Sequence, residues 1–113
     1  MRKVLVVGGG GREHALAWRL ARDPQTEVVL APGNDGAKLD RSFSCEAIAA
    51  NDYPRLVAYA EQGAFDLVVV GPDQALADGL VDQLASRGIL AFGPTQAAAR
   101  VEYSKAFAKE VMA

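Results

Sequence analysis

The chain holds one cysteine (Cys45), one histidine (His14) and one tryptophan (Trp18). A lone thiol closes no internal disulfide and makes no CxxC metal pair, so a disulfide scaffold and a zinc ribbon are both excluded. Cys45 reads as a small, partly buried side chain, and a reducing, cytoplasmic compartment fits it best. Basic excess is missing too. Lys and Arg total 12 against 14 Asp and Glu, a formal net charge of −2, with a sequence pI near 5.3. A nucleic-acid surface needs surplus cations to displace counterions, so none is expected, although a local cationic pocket stays open. Long apolar runs are also absent. No stretch approaches the roughly 20 apolar residues that span a bilayer, and the opening Met1-Arg2-Lys3-Val4-Leu5-Val6-Val7 is too short and too soon followed by glycine to be a signal peptide. What remains is an ordinary globular composition: 113 residues, 50% hydrophobic and 23% charged, the size and content of a single domain.

Within that domain, apolar runs alternate with amphipathic ones. Val4 to Val7 is a short, β-branched-rich run, the pattern of a strand buried on both faces. Gly8 to Gly11 end it, and Glu13 to Arg22 carries Leu16, Ala17, Leu20 and Ala21 on one helical stripe. Asp23-Pro24 stops that helix, and Glu27 to Ala31 is a second strand closed by Pro32-Gly33-Asn34. The stretch from Asp35 to Ala50 has no clear period and reads as loop, with a short strand around Phe43. Asp52 is an N-cap, Leu56, Val57 and Ala60 line the next helix, and Gly63 stands at its C-cap. Phe65 to Val70 is a third strand ended by Gly71-Pro72. Leu76, Leu80, Val81 and Leu84 line a third helix, and Ile89 to Phe92 is a fourth strand before Gly93-Pro94. Thr95 and Ser104 read as two further N-caps. Strands alternating with helices predict an α/β fold: an open parallel sheet of four main strands, order 2-1-3-4, with helices on both faces. The switch point then lies between the first and third strands, where ligands of such sheets bind beyond the carboxyl ends.

Two glycine-bearing loops end those two strands: Gly8 to Gly11, and Gly71-Pro72-Asp73. Four consecutive glycines let backbone N–H groups approach an anion closely. The following helix adds its positive end, worth typically 0.3–1 kcal/mol toward an anion. Arg12 stands at the loop's exit, where its fork suits phosphate oxygens. The dinucleotide fingerprint G-x-G-x-x-G/A fits poorly. Its third, small place falls on Glu13 counted from Gly8, or on His14 counted from Gly9, and the second strand ends in Leu30-Ala31-Pro32 without the expected acid. No Lys-Ser or Lys-Thr follows the glycines, so a P-loop is excluded as well. The first strand ends in glycine where a two-component receiver needs acids.

Gly8-Gly9-Gly10-Gly11-Arg12-Glu13-His14-Ala15 resembles the opening motif of the glycinamide ribonucleotide synthetase (phosphoribosylamine–glycine ligase) family of ATP-grasp ligases. Three further blocks agree in order: Ala31-Pro32-Gly33-Asn34, Val70-Gly71-Pro72-Asp73, and Phe92-Gly93-Pro94-Thr95 running on to Ser104-Lys105-Ala106-Phe107-Ala108-Lys109. The resemblance implies a Rossmann-like pre-ATP-grasp domain over residues 1–102 that binds the phosphoribosyl substrate. Residues 103–113 would begin the following ATP-grasp region. The chain then reads as a fragment of a longer enzyme, inactive alone. The implied reaction joins glycine to phosphoribosylamine, giving glycinamide ribonucleotide, ADP and phosphate in purine synthesis. ATP and Mg2+ would serve the full-length enzyme, with no cofactor in the fragment, no catalytic residue and no metal ligand.

The residue roles follow from the same resemblance. Gly9, Gly10 and Gly11 would offer N–H groups to the 5′-phosphate, and Arg12 its charge. Glu13 would line the site or cap the first helical turn. Asn34 would bind ribose hydroxyls or form an Asx turn. Asp73, where the family more often has glutamate, would hold ribose hydroxyls beside Gly71 and Pro72. Lys105 would reach toward ATP phosphates. His14 reads as a structural hydrogen-bonder and Trp18 as packing. Tyr103 stands where a small residue is expected. Phe107 and Val111 form a small apolar stripe that could support weak self-association. A nicotinamide-dependent oxidoreductase domain, a related ATP-grasp ligase and a non-catalytic α/β module are the competing readings.

Overall fold

A computed structural model describes residues 2–93. Thr95, Ser104, Lys105, Phe107, Val111, Tyr103 and the boundary expected near residue 103 lie outside the described residues. Strand β1 (Arg2–Gly8) pairs in parallel with β2 (Thr26–Pro32) along its whole length, from Arg2 opposite Thr26 to Gly8 opposite Pro32. On its other side β1 pairs with β4 (Leu67–Val70), Val4 opposite Leu67 and Val7 opposite Val70. Two short strands finish the edges: β3 (Ser44–Cys45) beside β2, and β5 (Ala91–Phe92) beside β4. The sheet order is β3-β2-β1-β4-β5. The order expected for the four main strands holds, and the fifth strand falls where a short one was expected, next to Phe43.

Side-chain alternation divides the core into two layers. Leu5, Val7, Val29, Ala31, Val68 and Val70 face one side, against Leu56, Val57 and Ala60 of α3 (Tyr53–Gln62) and Leu80 and Leu84 of α5 (Leu80–Ala85). Val4, Val6, Val28, Leu30 and Val69 face the other, against Ala17 and Leu20 of α1 (Gly11–Ala21) and Ala37 of α2 (Asp35–Lys38). Both faces are therefore covered by helix, as a parallel sheet requires.

Several boundaries differ from the sequence reading, each for a local reason. α1 begins at Gly11 rather than Glu13, because its first turn carries no apolar periodicity to mark it. The stretch read as loop contains the single turn of α2, started by Asn34. Asp52 does precede α3, but its side chain makes no capping hydrogen bond. The third expected helix is two, α4 (Asp73–Ala77) and α5, because Gly79 takes a left-handed φ of 85° between them. The apolar spacing runs through this break because Leu76 and Leu80 still pack in one cluster. Phe65 and Asp66 stand before β4 rather than in it. The Asp66 N–H donates to the Lys3 carbonyl at 2.8 Å while its carboxylate accepts from the Lys3 N–H at 2.8 Å, so a side chain closes the ladder there.

Leu5 is wholly buried at the centre of the larger layer. Leu5→Ala should lower unfolding stability by about 2–5 kcal/mol. Chemical denaturation with an unchanged m-value is the check, and a loss under 1 kcal/mol would mean that layer repacks freely.

Candidate functional site

Because β1 and β4 are neighbours in register, their carboxyl ends open side by side, and the chain leaves them in different directions. The Gly71 N–H donates to the Val7 carbonyl at 3.0 Å and the Gly33 N–H to the Gly8 carbonyl at 3.1 Å. Three loops are thereby tied to the end of one central strand.

Gly9 and Gly10 are the exposed connection, with Gly10 extended as the N-cap of α1. The first helical bond runs from the His14 N–H to the Gly10 carbonyl at 3.1 Å. The N–H groups of Gly11, Arg12 and Glu13 precede it and have no partner in the helix. A β-carbon on Gly11 would meet nothing within 4 Å, so this part of the loop faces open space. Arg12 reaches across the crevice, its Nη2 donating to the Gly71 carbonyl at 2.9 Å, which sets a guanidinium over the switch point.

The other glycines are occupied by packing. Glu13 is only 8% exposed and lies wedged between the ends of β1 and β4. A β-carbon on Gly71 would sit 2.6 Å from its Cγ and 2.7 Å from the Val7 carbonyl oxygen, and one on Gly8 would overlap the Glu13 side chain as well. A β-carbon on Gly9 would come 2.8 Å from the Gly33 carbonyl oxygen. This service to Glu13 escaped sequence reasoning, since Gly8 and Gly71 meet only through the sheet. The available signal was a glycine directly after each of two adjacent strands.

Asn34 joins two loops. Its Nδ2 donates to the Gly9 carbonyl at 2.9 Å, and its Oδ1 accepts from the Ala37 N–H at 2.8 Å, capping α2. Pro72 is the N-cap of α4, and Asp73 is exposed in its first turn. The fold thus gathers Gly9, Gly10, Gly11, Arg12, Glu13, Asn34, Gly71, Pro72 and Asp73 at one end of the sheet. Lys105 is outside the described residues. His14 lies 3.8 Å from Asp40 and edge-on to the Phe43 ring. The Asp40 carboxyl is held below its ordinary value first by the Ser42 backbone N–H, with His14 a lesser contributor. Trp18 is half exposed under the Arg22 guanidinium, 4.7 Å from the ring centre, rather than packed in the core. Burial pushes the Cys45 thiol up, away from the thiolate form. Among the described residues no three His, Cys, Asp or Glu side chains gather to hold a metal ion. No helix among them is long and apolar enough to cross a membrane.

These features define an α/β domain whose glycine-rich loop and Arg12 guanidinium lie at its topological switch point. Residues 2–102 match the family model described as phosphoribosylglycinamide synthetase, N domain, and the chain belongs to that family. It is 50% identical over 111 residues to the phosphoribosylamine–glycine ligase of Allochromatium vinosum, an alignment covering 97% of this chain and 26% of that protein. The ligase of Vibrio cholerae serotype O1 is 46% identical and that of Escherichia coli K12 47% identical, each over 112 residues, 98% of this chain and 26% of the relative. The chain spans about a quarter of the length of the curated relatives it matches. The family read from the four sequence blocks is the one found, and the nicotinamide-dependent alternative gains no support.

The packing divides the glycines experimentally. Gly71→Ala should cost about 1–3 kcal/mol, because backbone stands where the methyl group must go. Gly11→Ala should be neutral or stabilise by about 0.4–1 kcal/mol. Thermal unfolding of the two variants should separate them in that order, and equal effects would mean the wedge at Glu13 is loose.

Proposed function

We propose that this domain binds the 5′-phosphate of phosphoribosylamine and acts within an ATP-dependent ligase that joins that amine to glycine, yielding glycinamide ribonucleotide, ADP and phosphate for purine synthesis. The observation that carries the reading is the open flank of the loop. The N–H groups of Gly11, Arg12 and Glu13 stand free of helical partners beside a side that a β-carbon would find empty. A helix N-terminus with free N–H groups attracts a phosphate, and the Arg12 guanidinium adds a fixed cation. The names of the relatives, phosphoribosylamine–glycine ligases, supply the matching substrate.

Gly9 and Gly10 keep the backbone accessible, while Asn34 holds Gly9 in place through its carbonyl. Both polar atoms of the Asn34 side chain already have one partner, which favours a loop-holding role over ribose contact. Asp73, exposed across the crevice, is the acid available to ribose hydroxyls, with Gly71 and Pro72 fixing where its helix starts. ATP with magnesium supplies activation of the glycine carboxylate, and Lys105 is assigned to the ATP phosphates. This domain's own part is to bind and orient the phosphoribosyl group, through the Gly11 flank and the Arg12 guanidinium. A cytoplasmic setting and weak self-association through Phe107 and Val111 belong to the same proposal.

Ribose 5-phosphate titrated into the isotope-labelled chain should move the backbone amide signals of Gly9 to Arg12. Gly11→Val puts a branched side chain on the open flank. It should weaken binding by about tenfold, the equivalent of one good charge-assisted hydrogen bond, with circular dichroism unchanged. Shifts confined to residues away from Gly8–His14 would place the ligand elsewhere and sink the assignment.

A further inference from the structure

Glu13 occupies the place that dinucleotide-binding loops keep small. Counted from Gly8, the fingerprint's third position is Glu13, and in such loops the small residue there lets helix and strand pack closely. Here that place carries a side chain with a charged end. It is 8% exposed and fills the crevice between β1 and β4. Its Cγ and Oε1 would both lie 2.6 Å from a β-carbon on Gly71, and its Oε2 3.1 Å from one on Gly10. The next stretch of the inner flank is also oxygen, since the Gly33 carbonyl stands 2.8 Å from where a Gly9 β-carbon would be. Only the flank at Gly11 is open.

We propose that Glu13 is a specificity-determining residue: its carboxylate closes the β1–β4 crevice to a second phosphoryl group, so the loop takes a terminal monophosphate and refuses a pyrophosphate-bridged dinucleotide. The inference rests on the phosphate placement proposed above. A monophosphate at Gly11 and Arg12 meets free N–H groups, a helix N-terminus and a guanidinium. A dinucleotide must cross the crevice where strand order reverses. On that path its pyrophosphate runs past Gly10 toward Gly71 and meets a like charge at close range. At about 5 Å such a repulsion is worth between a few-fold and more than a hundredfold in affinity, according to the local dielectric.

Glu13→Gln keeps the shape of the wedge and removes its charge. Affinities for ribose 5-phosphate and NADH are measured by calorimetry on the native chain and on this variant. The native chain should bind ribose 5-phosphate more tightly than NADH, and the variant should narrow that preference by at least about fivefold, mainly through a gain in NADH affinity. A folded Glu13→Gln chain with the native preference overturns the inference. So does a native chain that binds NADH as tightly as ribose 5-phosphate, a comparison that stands even if the variant does not fold. Should ribose 5-phosphate leave the Gly9 to Arg12 amides unmoved while Glu13→Gln still gains NADH affinity, the phosphoribosyl reading fails and the exclusion by Glu13 stands.

Discussion

Everything in this domain hangs on β1 having a partner on each edge and a helical layer on each face. Its hydrogen bonds to β2 and β4 leave no free backbone edge, and Val4, Leu5, Val6 and Val7 are all buried. A strand so enclosed can present functional groups only at its ends. The carboxyl end is where the sheet order reverses, so the chain after β1 and the chain after β4 diverge around one crevice. The glycine loop and the start of α4 are consequences of that divergence, and the cap at Asn34 after β2 closes on the glycine loop beside them. The loop after β2 is anchored at the Gly8 carbonyl by the Gly33 N–H and at the Gly9 carbonyl by Asn34, and the loop that leads into α4 at the Val7 carbonyl by the Gly71 N–H.

Much of this was legible in the residues because burial on both faces writes itself as an unbroken apolar run. The stretches from Val4 to Val7 and from Phe65 to Val70 announced central parallel strands, the second two residues too long at its start, and the glycines after them announced the turns. The edge elements were harder. Ser44–Cys45 is a strand of two residues with one partner, too short to carry a period. The break at Gly79 was hidden because Leu76 and Leu80 continue a helical spacing that the backbone itself does not follow. Local pattern records which side chains are buried, and a left-handed residue changes the path without changing that record.

The candidate site was legible as a set of residues but not as a division of labour. The four glycines read alike in sequence, each apparently freeing backbone for an anion. In three dimensions Gly8 and Gly71 make room for Glu13, and Gly9 makes room for the Gly33 carbonyl. Gly11 alone among the four is bare without a packing reason among its neighbours. Such assignments depend on contacts between segments far apart in the chain, which no local window contains.

The same division explains why a loop that looks suited to dinucleotides need not bind one. Glycine content makes a loop able to approach phosphate, yet the approach depends on which flank remains open and on what charge lines the other. Here the inner flank is walled by the Glu13 side chain and the Gly33 carbonyl, both of which offer oxygen to an incoming anion. The outer flank offers N–H groups and Arg12. On the proposed placement a phosphate is favoured at the outer flank of the loop and opposed at the inner one. Selectivity for a single phosphoryl group can arise from that gradient without any residue that touches the sugar. On that proposal the residue at the third helical position, Glu13 here, would decide which of two ligand classes a strand–loop–helix unit admits, with the fold otherwise unchanged.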